Sequence, residues 1–451
     1  MMNRIAGVAG LALLALSLQV SAKVTKEEAD HLGKDLTPVG AEKAANKEGT
    51  IPEWTPKTGS ASKAPEHPHD AVLDAEKPLF TINKENIDKY KDKLTEGHRL
   101  LMSRFPGSYK MNVYPSHRVA GWPEFIYKAS YDNALSCVLI GTDNPDGCKL
   151  GFPFAIPKNG AEAVWNHKLK WRGEAVTRYN NQMIVQPDGS YQLTKLIEDV
   201  QFGYASEKNP VPLSKNSGLF LYYLSRTTAP PRLAGTFILV HEKAGTGNEG
   251  RAAWLYSPAL KRIRRAPTVC CDNPYEGTDG NQFYDQVDMF NGVLERYNWK
   301  LVGKKEVYIP YNSNKVGSPA VRFKDFARPR HFNQDLPRYE LHRVWVVEAD
   351  LKPGTSHTFK KRRLYIDEDA WTIAAIEDYD NRDQLYQFQE GHIVFAANIF
   401  TSTTIPEIIY HFDSGRYFIT AMANEDKPDD ITVSFRGDYF TSASVQKITT
   451  K

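Results

Sequence analysis

Cysteine is scarce in this chain: four in 451 residues, Cys137, Cys148, Cys270 and Cys271, and no C-x-x-C spacing among them. Haem attachment, zinc ribbons and thioredoxin-type chemistry therefore find no support. An excess of one charge is missing too. Lys and Arg number 57 against 54 Asp and Glu, a formal net charge of +3. Bulk electrostatics thus imply no nucleic-acid partner. Beyond residue 22 no stretch approaches the ~18 consecutive apolar residues of a membrane helix. Catalytic signatures are equally thin. No G-x-S-x-G elbow occurs, and His241-Glu242 lacks the second His of a zinc-protease helix. The 12 histidines show no metal-ligand spacing, so neither a metal nor a cofactor is expected. His167 and His342 are read as core or surface hydrogen-bonding residues. No internal repeat of fixed period is present, and nothing points to an enzyme first.

What the chain does have begins at its N-terminus. Arg4 supplies a positive start, residues 5–18 an uncharged Leu- and Ala-rich stretch, and Val20-Ser21-Ala22 the small residues a signal peptidase reads. Residues 1–22 are thus expected to be a cleaved secretory signal peptide, which places the mature protein in the periplasm; a short retained anchor is the alternative. The cysteines suit an oxidising compartment. Cys137 and Cys148 bracket the turn-rich run Gly141-Thr-Asp-Asn-Pro-Asp-Gly147 and are expected to form a disulfide. The adjacent Cys270 and Cys271 can form a vicinal disulfide, remain thiols or pair with the first two.

Residues 23–104 read as an N-terminal arm and helix. The arm is polar, with Ile51 and Trp54 as anchors, and residues 83–104 repeat Ile87, Tyr90, Leu94, His98 and Leu101 at helical steps after Asn83 as cap. From residue 105 to 451 the pattern turns to β. Short alternating runs separated by turn signals such as Asp380-Asn381-Arg382-Asp383 give an all-β sandwich or barrel pattern. One helix, capped by Asn159 and running to Leu169, interrupts it.

The most informative run is Ala253 to Pro267. It reads as two strands around a Pro258 turn, the first aromatic, the second carrying Lys261, Arg262, Arg264 and Arg265. The run suggests a curved antiparallel sheet with an apolar concave side and a basic margin. Large apolar residues alternate on neighbouring strands: Phe220, Tyr222 and Leu224; Phe237 and Leu239; Trp254 and Tyr256; Trp345 and Val347. Alternation puts each set on one side of its strand, and these residues are the expected wall of a ligand cavity.

Other motifs carry less. Gly245-Thr-Gly-Asn-Glu-Gly250 matches G-x-G-x-x-G, but the residues after it are strand formers and Pro258 would break a helix, so a hairpin loop is expected. The loop from Asp272 to Asn281 misses the calcium-loop order. Asp367 and Asp369 fall in a tight turn, where Asp favours local backbone bonds, with Arg363 and Arg382 in reach to neutralise them.

Several segments together resemble a known family: Leu36 to Glu42, Gly49 to Trp54, Gly151 to Pro157 with Glu162 to His167, Trp254 to Arg265, and Arg363 to Trp371 with Tyr379-Asp380. They are similar to a proteobacterial secreted family, domain of unknown function 1329, whose members are described as outer-membrane lipoprotein-sorting proteins with a LolA/LolB-like fold. The resemblance implies a mainly β protein with accessory helices: an incomplete antiparallel barrel wrapped around helices and open to a hydrophobic ligand. It also implies traffic of lipophilic molecules, alongside a transporter of the resistance–nodulation–division superfamily. The expected function is a soluble periplasmic carrier or accessory protein for a lipid, a lipoprotein acyl chain or a terpenoid. Two alternatives compete: an outer-membrane β-barrel, and a secreted hydrolase using Asp367 with Asp369 or Glu276 with Asp279.

Overall fold

The computed structural model describes residues 23–449 apart from 58, 61, 63, 65, 207, 209–212, 214–218 and 246–249. The expected signal peptide, residues 1–22, lies outside the described residues.

Strands dominate. Two short ones, β1 (Phe80–Ile82) and β2 (Met111–Val113), come from the N-terminal part, and β3 (Val138–Ile140) with β4 (Asn144–Asp146) makes a separate hairpin. The remaining strands form two antiparallel meanders. The first comprises β5 (Ala175–Tyr179), β6 (Asn181–Val185), β7 (Tyr191–Phe202), β8 (Leu221–Ala229), β9 (Phe237–Glu242), β10 (Arg251–Ser257) and β11 (Arg262–Arg265). The second comprises β12 (Tyr297–Pro310), β13 (Tyr339–Leu351), β14 (Lys361–Asp367), β15 (Ile373–Tyr379), β16 (Leu385–Ala396), β17 (Thr401–His411) and β18 (Tyr417–Met422). The last strand of the second meander pairs with β6 of the first, Tyr417 opposite Val185 and Ile419 opposite Met183. The two meanders are thereby one large curved sheet.

That sheet stays open. Among the described residues β12 pairs only with β13, and β11 only with β10, so both remain edges. The architecture is the expected incomplete antiparallel barrel. A transmembrane barrel requires a closed strand circuit, so the outer-membrane alternative is not the fold this chain adopts.

Among the described residues four helices reach eight residues: α1 (Glu96–Arg104), α2 (Glu124–Ser136), α3 (Gly160–Lys168) and α4 (Ser442–Thr449). The inner face of the sheet closes on α2 and α3. Ile126, Val164 and Trp165 pack with Val347, Leu364 and Ile376 of the second meander, and with Val200 and Phe202 of the first. Asn159 caps α3 as expected, its Oδ1 accepting the Glu162 N–H at 3.0 Å. Gly160 lets the helix approach, since a Cβ there would lie 2.8 Å from Val347 Cγ1 and 2.9 Å from the Lys300 backbone. The outer face of the second meander is covered by the N-terminal arm and α1, where Ile51, Leu73, Leu101 and Met102 meet Tyr339, Phe388 and Tyr410.

The helix expected over residues 83–104 is broken. A short turn spans Ile87–Tyr90, a 3-10 turn Lys91–Lys93, and α1 restarts after Thr95, whose Oγ1 accepts the His98 N–H. Thr95 is extended at φ −70°, ψ 161°, the geometry of a helix-initiating cap. Asn83 instead accepts from the Glu85 N–H in a local turn. The hairpin expected around Pro258 forms, with Trp254 opposite Arg265 and Ser257 opposite Arg262. Residues Gly245 to Gly250 connect β9 to its antiparallel neighbour β10, not to the parallel crossover of a dinucleotide fold, although residues 246–249 lie outside the described residues.

Candidate functional site: a cavity under the first meander

Alternation on β8, β9 and β10 creates two distinct faces. Tyr223 opposes Val240, which opposes Ala253; one residue on, Leu224 opposes Leu239, which opposes Trp254. Tyr223 and Val240 turn inward and line a cavity of ≈ 790 Å³, measured with its solvent-open part. Ile238 and Val240 share this wall with Val200, Phe202 and Phe220, and the loop before β12 completes it with Val269, Tyr284 and Phe290.

One end of this apolar chamber is charged. Lys168 ends α3, and Arg172 begins the run into β5, so the helix terminus delivers both cations to the floor. Asp288, in the left-handed region at φ 55°, meets Lys170 at 3.1 Å and Arg172 at 2.5 Å. Burial disfavours its charge, but Arg172 and Lys170 hold Asp288 well below the usual carboxylate range. Burial lowers Lys170 to about 8. Burial, reinforced by Lys170, also pushes His167 down to about 3, so its ring is neutral. Its Nε2 accordingly donates to the Asp288 carbonyl at 2.7 Å, while Nδ1 accepts the Ile373 N–H at 3.2 Å. His167 is the core hydrogen-bonding residue that was expected.

Beside this floor Arg178 Nε donates to Glu198 at 2.7 Å, and Glu198 also accepts from Asn180 at 2.8 Å and Tyr223 at 2.6 Å. Arg178 lines both the apolar chamber and a smaller polar one of ≈ 400 Å³ that holds Glu198, Gln182 and Glu407. Arg172 and Arg178 also border a third space of ≈ 890 Å³, towards His67, Asn398 and Asp429.

The residues expected to form the wall separate into three places. Phe220 lines the cavity. Tyr222, Leu224, Phe237, Leu239, Trp254 and Tyr256 do share one face, but it is the opposite one, where they pack under Phe435, Phe440 and Val445 of the C-terminal segment. Phe220 precedes β8, which starts at Leu221, so its direction does not follow the strand's alternation. Trp345 and Val347 belong to the core around α2 and α3, with Trp345 stacked at 6.3 Å on Trp371. The inward positions Tyr223, Ile238 and Val240 went unselected because they are the other half of the same alternating runs. A local signal for the charged floor did exist: Lys168, Lys170 and Arg172 recur at every second residue after a capped helix.

Lys261, Arg262, Arg264 and Arg265 are exposed on the β11 edge, and none meets a carboxylate among the described residues. Arg265 lies over the Trp254 ring at 5.3 Å. Cys137 and Cys148 are bridged. Cys270 and Cys271 are free, with the Cys271 thiol donating to Cys270 at 2.8 Å. That hydrogen bond lowers Cys270 to about 7.

The carboxylates weighed for hydrolysis sit elsewhere. Ligand atoms of His342, Asp367 and Asp369 lie within 4.8 Å of one another, the geometry of a small metal cluster. Both oxygens of Asp369, however, are engaged by Arg118, and His342 Nε2 bonds Glu340 at 3.0 Å. Burial raises Asp367 to about 7, against the neighbouring His342. The expected neutralising arginines are engaged with other groups: Arg363 pairs with Glu348 and Glu377, and Arg382 with Asp380. Glu276 and Asp279 are exposed on a loop.

Similarity to known proteins covers nearly all of the chain. An uncharacterized protein of Pseudomonas aeruginosa is 42% identical over 448 residues, covering 97% of this chain and 96% of the relative. Among solved structures, a DUF1329 family protein from Desulfovibrio piger aligns with 60% of this chain and 92% of its own at 13% identity, TM-score 0.41. A LolA superfamily protein from Nitrosomonas europaea aligns with 63% of this chain and 98% of its own at 11% identity, TM-score 0.39. The family model described as Protein of unknown function (DUF1329) matches residues 81–446, and the chain belongs to that family.

Proposed function

We propose that the protein is a periplasmic carrier or accessory protein that holds a lipophilic molecule in the cavity between its first meander and the segment that precedes β12. One observation carries this reading: a chamber walled by Val200, Phe202, Phe220, Ile238, Val240 and Phe290 and charged at one end. Such a space suits an amphiphile, because each buried CH₂ contributes about 0.8 kcal/mol and the polar end needs only a few fixed partners. Shielding of this kind requires no covalent step. The cations Lys261, Arg262, Arg264 and Arg265 on the β11 edge supply a surface for approaching an anionic membrane, and the family resemblance suggests a resistance–nodulation–division transporter as partner. The ligand belongs to the class of lipids, acyl chains or terpenoids.

Binding of the neutral fluorescent probe N-phenyl-1-naphthylamine tests the proposal, using protein purified without detergent and stripped of bound lipid. Saturable binding is expected, with a loss of about tenfold or more in Val240→Trp, which fills the chamber. Absence of saturable binding by the wild type, or unchanged binding by a folded Val240→Trp protein, overturns it.

A further inference from the structure

The charges lining the apolar chamber are unequal. Four cations, Lys168, Arg172, Arg178 and Arg251, face it against two carboxylates, Glu242 and Asp288. Two of the cations are matched. Arg251 Nε donates to Glu242 at 2.5 Å, and Arg178 pairs with Glu198 at 2.7 Å. The other two lack a carboxylate of their own. Asp288 is a single carboxylate shared between Arg172 and the enclosed Lys170. Lys168 reaches a carbonyl, that of Gly292 at 2.7 Å, and lies 4.6 Å from the centre of the Trp165 ring, with no carboxylate in salt-bridge contact among the described residues.

Arg172 carries a second sign of an unfilled role. Its Nε is buried and has no hydrogen-bond partner among the described residues. Its guanidinium rests on the Phe202 ring at 4.8 Å, and Phe202 is itself part of the apolar wall. A planar donor group is thus held where the greasy surface ends. Buried donors are as a rule satisfied, and a guanidinium matches the oxygens of carboxylates and phosphates.

Building on the carrier reading, we infer that the carried molecule is an amphiphile with an anionic head group, carboxylate or phosphate, whose head meets Arg172 and Lys168 while its chain lies along Val200, Ile238 and Val240. The inference assigns a polarity and a direction to the bound ligand. The acid end sits at the α3 terminus, and the chain runs under β8 and β9. Burial lowers the Lys168 pKa even with Glu242 and Asp143 nearby.

Displacement of N-phenyl-1-naphthylamine from the lipid-stripped full chain tests this, with hexadecanoate, hexadecyl phosphate, hexadecanol and hexadecyltrimethylammonium as competitors at a pH where the acid is ionised. At least one anionic competitor is expected to displace the probe about tenfold more tightly than hexadecanol, and the cation most weakly. Preference for hexadecanoate alone identifies the carboxylate class; preference for the phosphate alone identifies the phosphate class. Arg172→Gln and Lys168→Met should bring the acid-to-alcohol ratio towards one. Equal displacement by acid and alcohol, or a ratio unmoved in both folded variants, overturns the inference and leaves the carrier reading standing. Failure of the wild type to bind the probe or any competitor removes both. Should the variants not fold, the wild-type head-group series decides alone.

Discussion

Arg118 grips Asp369 with two hydrogen bonds, Nε to Oδ2 at 2.8 Å and Nη2 to Oδ1 at 2.7 Å, across 251 residues of sequence. The same guanidinium donates to the carbonyls of Glu42 at 2.7 Å, Lys43 at 3.2 Å and Pro52 at 3.4 Å. One side chain therefore ties the turn after β14 to the N-terminal arm. Arg343 repeats the device, bonding Glu368 at 2.7 Å and the carbonyls of Glu42 and Ala44. The acidic turn Asp367-Glu368-Asp369 works as a clasp for the arm rather than as a site facing the cavity.

The clasp makes Arg118 a test of how the arm is held. Both side chains of the pair are almost fully enclosed, 2% and 3% exposed. Removing one partner of such a pair leaves a buried charge uncompensated, which costs about 3–5 kcal/mol. Arg118→Ala is expected to lower the urea-unfolding free energy by that amount and to expose the arm around residue 52 to protease. A loss below about 0.5 kcal/mol, the range of ordinary surface substitutions, would contradict the clasp.

Neighbouring residues of β9 have separate jobs. Phe237 packs beneath Phe440 and Val445, whereas Ile238 faces the cavity. Phe237→Ala should therefore cost about 3–5 kcal/mol of stability and leave the affinity for a neutral probe unchanged. Denaturant midpoints and probe titrations on one preparation settle it. Lost probe binding by a folded Phe237→Ala protein would return the cavity to the face first read from the alternation.

Local chemistry explains how much of this was legible. The β10–β11 hairpin, the Asn159 cap and the Cys137–Cys148 bridge each rest on residues close in sequence, where alternation, turn chemistry and capping act directly. The family resemblance supplied the open barrel. Alternation could establish that Tyr222 and Leu224 share a side, but not which side, because both faces of β8 are apolar and both are covered. Only the placement of the C-terminal segment over Leu224, Leu239 and Tyr256 decides that. The helical stripe from Ile87 to Leu101 was real in spacing, yet Thr95 took the cap position and restarted the helix. Beyond the run from Lys168 to Arg172, the charged floor stayed hidden because Arg178, Arg251 and Asp288 come from separate segments that long-range strand pairing brings together.

Glu407, on β17 next to that floor, gives the protein a pH dependence of definite sign. Its carboxyl is enclosed: Thr404 Oγ1 donates to Oε1 at 2.7 Å, and the Met289 N–H donates to Oε2 at 3.1 Å. Burial, and then the charge of Asp288, push it up to about 7. The folded protein thus keeps a proton that the unfolded chain releases near the ordinary glutamate value of about 4.3. Between those two values the folded state binds more protons, so this contribution to stability is complete below the lower value and is lost as pH rises through the upper one. Glu407→Gln retains the neutral shape without the titration. Urea midpoints followed from about pH 4 to about pH 8 should fall less steeply for the variant than for the wild type. Asp367, raised by burial in the same sense, keeps its own share in both proteins, so the difference between the profiles isolates Glu407. Parallel profiles would show that Glu407 is already ionised in the fold.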